Sequence, residues 1–160
     1  MIIRPAGPKD TDAIWSILEP TIRAGETYTL PQEMDRERAL EYWFSPGHTV
    51  FVAEEDGELL GTYYLRANQK GGGSHVGNCG YMTAARASGR GVATAMCEHS
   101  LEYARTHGFR AMQFNFVVSS NLGAIHLWKK FGFATIGSLP GAFLHPRLGY
   151  VDALVMYRTL

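Results

Sequence analysis

Short apolar runs and amphipathic stretches follow one another along the chain, and their spacing predicts a mixed set of strands and helices. Met1 to Arg4 is a short apolar run stopped by Pro5, and it predicts a first strand. Pro8 suits the first turn of a helix. Ala13, Ile14, Ile17, Leu18, Thr21 and Ile22 then recur at helical spacing. Pro20 interrupts that pattern and is expected to kink or end the helix. A loop from Ala24 to Pro31 and a second short helix from about Met34 to Phe44 follow, stopped by Ser45-Pro46-Gly47. Val50 to Ala53 and Leu59 to Leu65 flank Asp56-Gly57, which predicts a hairpin.

After the glycine-rich loop Gln69 to Ser74, the pattern predicts a strand from His75 to Thr83 and a helix from about Gly91 to His107. Ala93, Met96, Cys97, Leu101 and Ala104 make that helix's apolar stripe, and Gly108 suits its C-terminal cap. Met112, Phe114, Phe116 and Val118 alternate with Gln113, Asn115 and Val117, so Ala111 to Val118 reads as a strand. A short helix over Asn121 to Phe131 and two closing strands, Phe133 to Ser138 and Tyr150 to Arg158, complete the pattern. The aromatic and Gly/Pro-rich stretch Pro140 to Tyr150 is expected to form a loop. The order β-α-α-β-β-β-α-β-α-β-β is that of an α+β fold with helices on a largely antiparallel sheet.

Composition narrows the function classes. A chain of 160 residues, 46% hydrophobic and 19% charged, fits one globular domain spanning 1–160. Lys plus Arg and Asp plus Glu both count 15, so the basic excess expected of a nucleic-acid binder is absent. Cys79 and Cys97 show no C-x-x-C spacing and read as reduced thiols. No signal-peptide pattern opens the sequence, and no apolar run approaches the ~20 residues of a membrane span. The expectation is a cytoplasmic protein without membrane or nucleic-acid partners. His99, His107, His126 and His145 lack recognised metal-ligand spacings, so no metal is expected.

Ser88-Gly89-Arg90-Gly91-Val92-Ala93 stands between a predicted strand and a predicted helix. A helix N-terminus offers unpaired N–H groups and partial positive charge, and glycines let the backbone close on an anion. The turn therefore suits a pyrophosphate, although alone it also fits a ligand-free connection. It is no P-loop, since Gly-Lys-Ser/Thr is missing, and no acid follows the next strand as a dinucleotide fingerprint requires.

The run from Ser88 to Gly132 resembles the acetyl-CoA-binding core of the GNAT family of N-acetyltransferases. That family carries a Q/R-x-x-G-x-G/A turn and a later segment similar to N-x-x-A-x-x-L-Y-x-K-x-G-F. Here Gly91 and Ala93 take the turn positions, followed by Asn121, Ala124, Leu127, Trp128, Lys130, Gly132 and Phe133. The resemblance implies a mixed, largely antiparallel sheet of six to seven strands flanked by about four helices. It implies acetyl-CoA as cosubstrate, with pyrophosphate on the backbone of Ser88, Gly89, Arg90, Gly91, Val92, Ala93 and Thr94. It implies pantetheine along Tyr81, Met82 and Thr83, with the N–H near Tyr81 and Met82 polarising the thioester, and Asn121 beside the pantetheine. A homodimer is also common in the family.

Two departures stand out. Ser88 replaces the family's Gln or Arg. Trp128 stands where many members have a tyrosine that protonates the departing thiolate, and an indole N–H is not a usable acid. Trp128 is therefore expected to pack against the cosubstrate.

Val76 to Tyr81, Phe114 to Val117 and Gly149 to Ala153 resemble fungal N-acetyltransferases of proline analogues such as L-azetidine-2-carboxylate. That resemblance implies a small amino-acid acceptor, with Asn78 on its carboxylate, Asn115 near the reacting nitrogen and Asn121 near the sulfur. Glu26, Tyr28 and Tyr63 are further acceptor-site candidates, and Glu26 or His75 a possible base. Asp152 could hold an ammonium or pair with Arg147 or Arg158. Two alternatives stay open: a protein or peptide N-acetyltransferase, and a catalytically silent acyl-CoA-binding sensor.

Overall fold

The computed structural model describes residues 1–160. In chain order its elements are β1 (Ile2–Pro5), α1 (Thr11–Ala24), α2 (Arg36–Trp43), β2 (Thr49–Glu55), β3 (Glu58–Ala67), β4 (Val76–Thr83), α3 (Val92–Thr106), β5 (Ala111–Val118), α4 (Leu122–Lys130), β6 (Ala134–His145) and β7 (Gly149–Thr159). The strands form one sheet of seven in the order β1-β2-β3-β4-β5-β7-β6. Every neighbouring pair is antiparallel except β4 with β5. This is the mixed sheet with four helices that the sequence pattern and the family resemblance implied.

Local chemistry explains the elements. Asp56 and Gly57 both take positive φ, 52° and 81°, as the tight β2–β3 turn requires. β3 is buried on both faces, hence its unbroken apolar run. Its even residues face α2, where Trp43 Nε1 donates to Thr62 and Tyr42 meets Tyr64. Its odd residues face α3. An added Cβ on Gly61 would come within 2.8 Å of Val92 and Met96, so this glycine lets the start of α3 lie against the sheet. A cluster of 30 buried residues joins both layers.

Three expectations need correction. Of the kink or end expected at Pro20, the end does not occur, since α1 runs on to Ala24. Ser16, whose carbonyl loses its helical partner, is exposed and can be hydrated. Pro140 to Tyr150 is not a loop: β6 reaches His145 and pairs with β7 down to a short turn. Its register shifts between Leu139 and Phe143, which accommodates Pro140 at an edge strand. Asp152 pairs with neither Arg147 nor Arg158; its Oδ1 accepts from Gly141 N at 2.9 Å and steadies that irregularity.

Candidate active site

The parallel pair β4 and β5 stays joined for only two rungs, Val76 with Ala111 and Gly77 with Met112. Beyond them the strands part. β5 carries a bulge there, because its register against β7 shifts between Phe114 and Val117. A bulge bends its strand and adds twist, and here it turns β5 away from β4. It also breaks the expected alternation at Asn115 and Phe116. The opened sheet forms a cleft of about 530 Å³ lined by residues of β4, β5, α4 and the α1–α2 loop.

Parity decides which backbone groups face the gap. Ala84 N donates to Leu60 O and Asn68 N donates to Val76 O, and the β3–β4 register between them is unbroken. Even-numbered residues of β4 therefore turn their backbone groups to β3. Cys79, Tyr81 and Thr83 turn theirs to the open side. Met82, expected to offer its N–H to a thioester, has it directed at Thr62 instead. Tyr28 confirms the parity, since its hydroxyl donates to Tyr81 O at 2.8 Å. Burial pushes that phenol far above its ordinary range, so it stays a neutral donor.

The turn before α3 presents a second concentration of free donors. Gly89 and Gly91 take positive φ, 76° and 77°, and an added Cβ on either meets nothing within 4 Å. No side chain caps α3 and no acid lies in its first turn. The first intrahelical bond runs from Ala95 N to Gly91 O, which leaves the amides of Val92, Ala93 and Thr94 unpaired. The amides of Ser88 and Arg90 are spent within the turn on Ala85 and Ala87. The Arg90 side chain pairs with Glu55. Of the expected phosphate ligands, Gly89, Gly91, Val92, Ala93 and Thr94 are thus available and Ser88 and Arg90 are engaged. Such a cradle of backbone donors fits a pyrophosphate.

At the gap's far wall, Asn121 caps α4 by accepting from Ala124 N at 3.4 Å, which leaves its Nδ2 free to donate. Trp128 is 8% exposed and packs against Tyr81 at 5.1 Å and Phe114 at 4.8 Å. It lines the cleft as an aromatic wall.

The end of the cleft beside β3 holds a group that sequence reasoning missed. Arg66, at the end of β3, is the one charged side chain lining the cleft. Its Nε donates to Asn78 Oδ1 at 3.2 Å, and it makes no ion pair. A lone arginine closing a buried strand reads as solvated in sequence; only its register pairing with Asn78 reveals it. Tyr28, Tyr42, Tyr64 and Phe116 supply aromatic lining around it.

The other acceptor candidates separate. Asn78 and Asn115 line the cleft, but their amides are already in use. Asn78 Nδ2 donates to Gln113 O at 2.9 Å. Asn115 Nδ2 donates to Asn68 at 2.6 Å and its Oδ1 accepts from Gln113 at 3.0 Å. Tyr63 lies on the wrong face: it is fully buried toward α3, with its hydroxyl 2.6 Å from His99 Nδ1. Its neighbour Tyr64 is the one that lines the cleft, because side chains alternate along a strand. Glu26 lies outside the lining, paired with Arg147 from the β6–β7 turn, and that guanidinium holds its carboxyl below the usual range. His75 is exposed at the joined end of β4 and β5, whose carbonyl accepts from Arg110 N. Burial raises the thiol of Cys79 to about 12, so it is no nucleophile at neutral pH.

The same architecture occurs in known proteins. The model of the Acetyltransferase (GNAT) family matches residues 12–133. The chain is 30% identical over 162 residues to the L-amino acid N-acetyltransferase AaaT of Escherichia coli, covering 99% of this chain and 98% of that protein. It is 28% identical over 151 residues to the N-acetyltransferase aca1 of Schizosaccharomyces pombe, covering 84% of this chain and 72% of that protein. The solved structure of a GCN5-related N-acetyltransferase from Kribbella flavida matches with a TM-score of 0.95 at 40% identity, over 99% of this chain and 97% of that one.

Proposed function

Because this chain belongs to the acetyltransferase (GNAT) family and is an acetyl-CoA-dependent N-acetyltransferase, we propose that its acceptor is a small amino acid held through its carboxylate. Arg66 carries this reading. A half-buried guanidinium without a carboxylate partner, in a cleft with no other charge, is suited to a substrate anion. A polyamine, an aminoglycoside or a lysine side chain would meet there a charge of its own sign and no acid to pair with. The likeness to an L-amino acid N-acetyltransferase supports the same class.

The residues divide the work. The free amides of Gly89, Gly91, Val92, Ala93 and Thr94 hold the pyrophosphate. The open edge of β4 takes the pantetheine as an added strand, and the Tyr81 or Thr83 N–H donates to the thioester carbonyl as it becomes an oxyanion. Arg66 fixes the carboxylate, and Tyr28, Tyr64 and Phe116 enclose the acceptor. The neutral amine attacks the carbonyl carbon directly, the C–S bond breaks, and the nitrogen's surplus proton passes to water. Asn121 Nδ2 donates to the departing thiolate, which water protonates, since Trp128 supplies no acid. Positioning then accounts for much of the rate.

A homodimer fits the outer edge of the sheet. β6 is an edge strand whose outer side has no strand partner, and Ile136, Leu144, Leu148 and Tyr150 on its hairpin are 60–76% exposed. Sedimentation of the wild type against Leu144→Glu tests it, with a monomer expected only for the variant. No helix is long and apolar enough to cross a membrane.

The function is tested by acetyl-CoA-dependent thiol release. The panel contains ordinary amino acids, azetidine-2-carboxylate, polyamines, aminoglycosides and a lysine peptide. Turnover confined to the carboxylate-bearing small amines supports the reading. Turnover of the lysine peptide alone would make the protein-acetylating alternative correct. Silence with acetyl-CoA still bound would favour the sensor.

A further inference from the structure

The split between β4 and β5 is bridged by side chains at its apex. Gly77 with Met112 is the last backbone rung. One residue further, Asn78 Nδ2 donates to Gln113 O at 2.9 Å, so a side-chain amide makes the next rung. The other end of that amide, Oδ1, accepts from Arg66 Nε at 3.2 Å. Arg66 and Asn78 are register partners on β3 and β4. The chain of amides continues from the Gln113 side chain to Asn115 and from Asn115 to Asn68, just past the end of β3. Five polar side chains thus tie three strands together at the point where the cleft begins.

We propose that Asn78 is a positioning residue that acts through Arg66: anchored across the split on Gln113, it fixes the guanidinium by its Nε and leaves both terminal nitrogens for the acceptor's carboxylate. This rests on the amino-acid reading above and replaces a direct contact between Asn78 and the substrate. The residue type follows from the two roles. An amide can accept from Arg66 and donate to a carbonyl at once. An aspartate could not donate to Gln113, and it would pair with Arg66 and cancel the charge the substrate needs. A leucine would leave the Gln113 carbonyl unmatched by this donor and the guanidinium unfixed. Asn78 is only 7% exposed, so its amide is largely screened from solvent competition.

The test is a double-mutant cycle read with two acceptors: an amino acid that the enzyme turns over, and the same amine lacking the carboxylate. Arg66→Ala is expected to raise KM for the amino acid roughly fiftyfold and to leave the decarboxylated amine within about twofold. Asn78→Ala is expected to raise KM for the amino acid about tenfold, again sparing the amine, and to add nothing in the Arg66→Ala background. Acetyl-CoA affinity should change less than about threefold in either variant. If Asn78→Ala is too unstable, Asn78→Ser removes the reach to Arg66 with a smaller loss of packing.

The adverse outcomes are distinct. A further tenfold loss from Asn78→Ala on top of Arg66→Ala would mean that Asn78 touches the substrate itself, and would overturn the proposal. An equal rise in KM for both acceptors would reduce Asn78 to a staple of the sheet, which also overturns it. An amino-acid KM unmoved by Arg66→Ala would instead sink the reading of Arg66 as the carboxylate anchor, and the positioning role with it.

Discussion

The Tyr28 hydroxyl donates to the Tyr81 carbonyl across 53 positions of sequence, at 2.8 Å. It fastens the α1–α2 loop to the open edge of β4, along which we propose the cosubstrate's arm lies. Burial keeps the phenol protonated far above neutrality, so Tyr28 orders the cleft and does not titrate in it. Tyr28→Phe should cost about one hydrogen bond and raise acceptor KM roughly fivefold. The pH–rate profile should keep its shape. Loss of a basic limb in that profile would instead identify Tyr28 as a proton-transfer group.

Gly91→Glu should abolish acetyl-CoA binding, because a carboxylate would stand beside the free amides of α3 that we propose hold the pyrophosphate. Gly91→Ala is the control. Its φ of 77° makes any side chain strained, but open space around the Cβ leaves the cradle clear. We expect an affinity loss of at least about a hundredfold for the glutamate and under about tenfold for the alanine. Titration of each folded variant with acetyl-CoA, followed by calorimetry, measures both. Equal affinities in the two variants would move the phosphates elsewhere.

The cleft offers no carboxylate and no histidine as a base. The acceptor must therefore arrive as the free amine, and its own ionisation sets the rate. Log kcat/KM should rise with a slope near one up to the amine's pKa and then level. Two acceptors of different amine pKa should shift the break correspondingly. Glu26→Gln and His75→Ala should leave the profile unchanged. A break at a fixed pH for both acceptors would reveal a base on the protein.

Much of this arrangement was legible in the sequence. The β2–β3 hairpin rests on Asp56-Gly57, and α3 rests on a clear apolar stripe after two glycines. The glycine turn before α3 was readable for the same reason: short-range turn chemistry and fixed spacing carry it. The lining of the cleft depends on long-range facts. Whether Tyr63 or Tyr64 faces the cleft is decided by a register of one residue, and both are aromatic. The β5 bulge at Asn115 and Phe116 leaves no mark in a strand that alternates on paper. The partners of Glu26 and Asn78 come from the far ends of the chain or from another strand. Pro20 does not end α1 because a helix tolerates proline where the orphaned carbonyl meets water.

Gly80 controls the shape of the cleft beside Tyr64. A Cβ there would come within 2.6 Å of the Tyr64 ring. That ring cannot yield freely: it stacks on His48 at 4.0 Å, meets Trp43 edge-on at 4.9 Å and is only 5% exposed. Gly80→Ala should displace Tyr64 into the cleft, raise acceptor KM about tenfold and lower Tm by about 3–8 °C. Acetyl-CoA affinity should hold, since the open backbone groups of β4 belong to Cys79, Tyr81 and Thr83. A matched loss of cosubstrate affinity would mean that β4 itself has shifted.

The junction of β1 and α1 sets part of the acid stability. Asp10 is 5% exposed and accepts two bonds from Arg4, both at 2.9 Å, and one from Gly7 N at 2.7 Å. The Arg4 hydrogen bonds, opposed by burial, hold its carboxyl at about 2 against an ordinary 3.8. The folded state therefore binds this proton later than the unfolded chain. The stabilisation is fully present above the unfolded value and is lost as pH falls through the folded one, between roughly pH 4 and pH 2. Asp10→Asn keeps the shape and removes the charge. At neutral pH it should unfold with about 2 kcal/mol less stability, and its stability should fall less steeply than the wild type's below pH 4. Arg4 retains Glu54 at 2.7 Å, so no buried cation is abandoned. Urea unfolding at pH 7, 4, 3 and 2.5 separates the cases. Curves that fall in parallel would assign the acid limb to other carboxylates and leave Asp10 with packing alone.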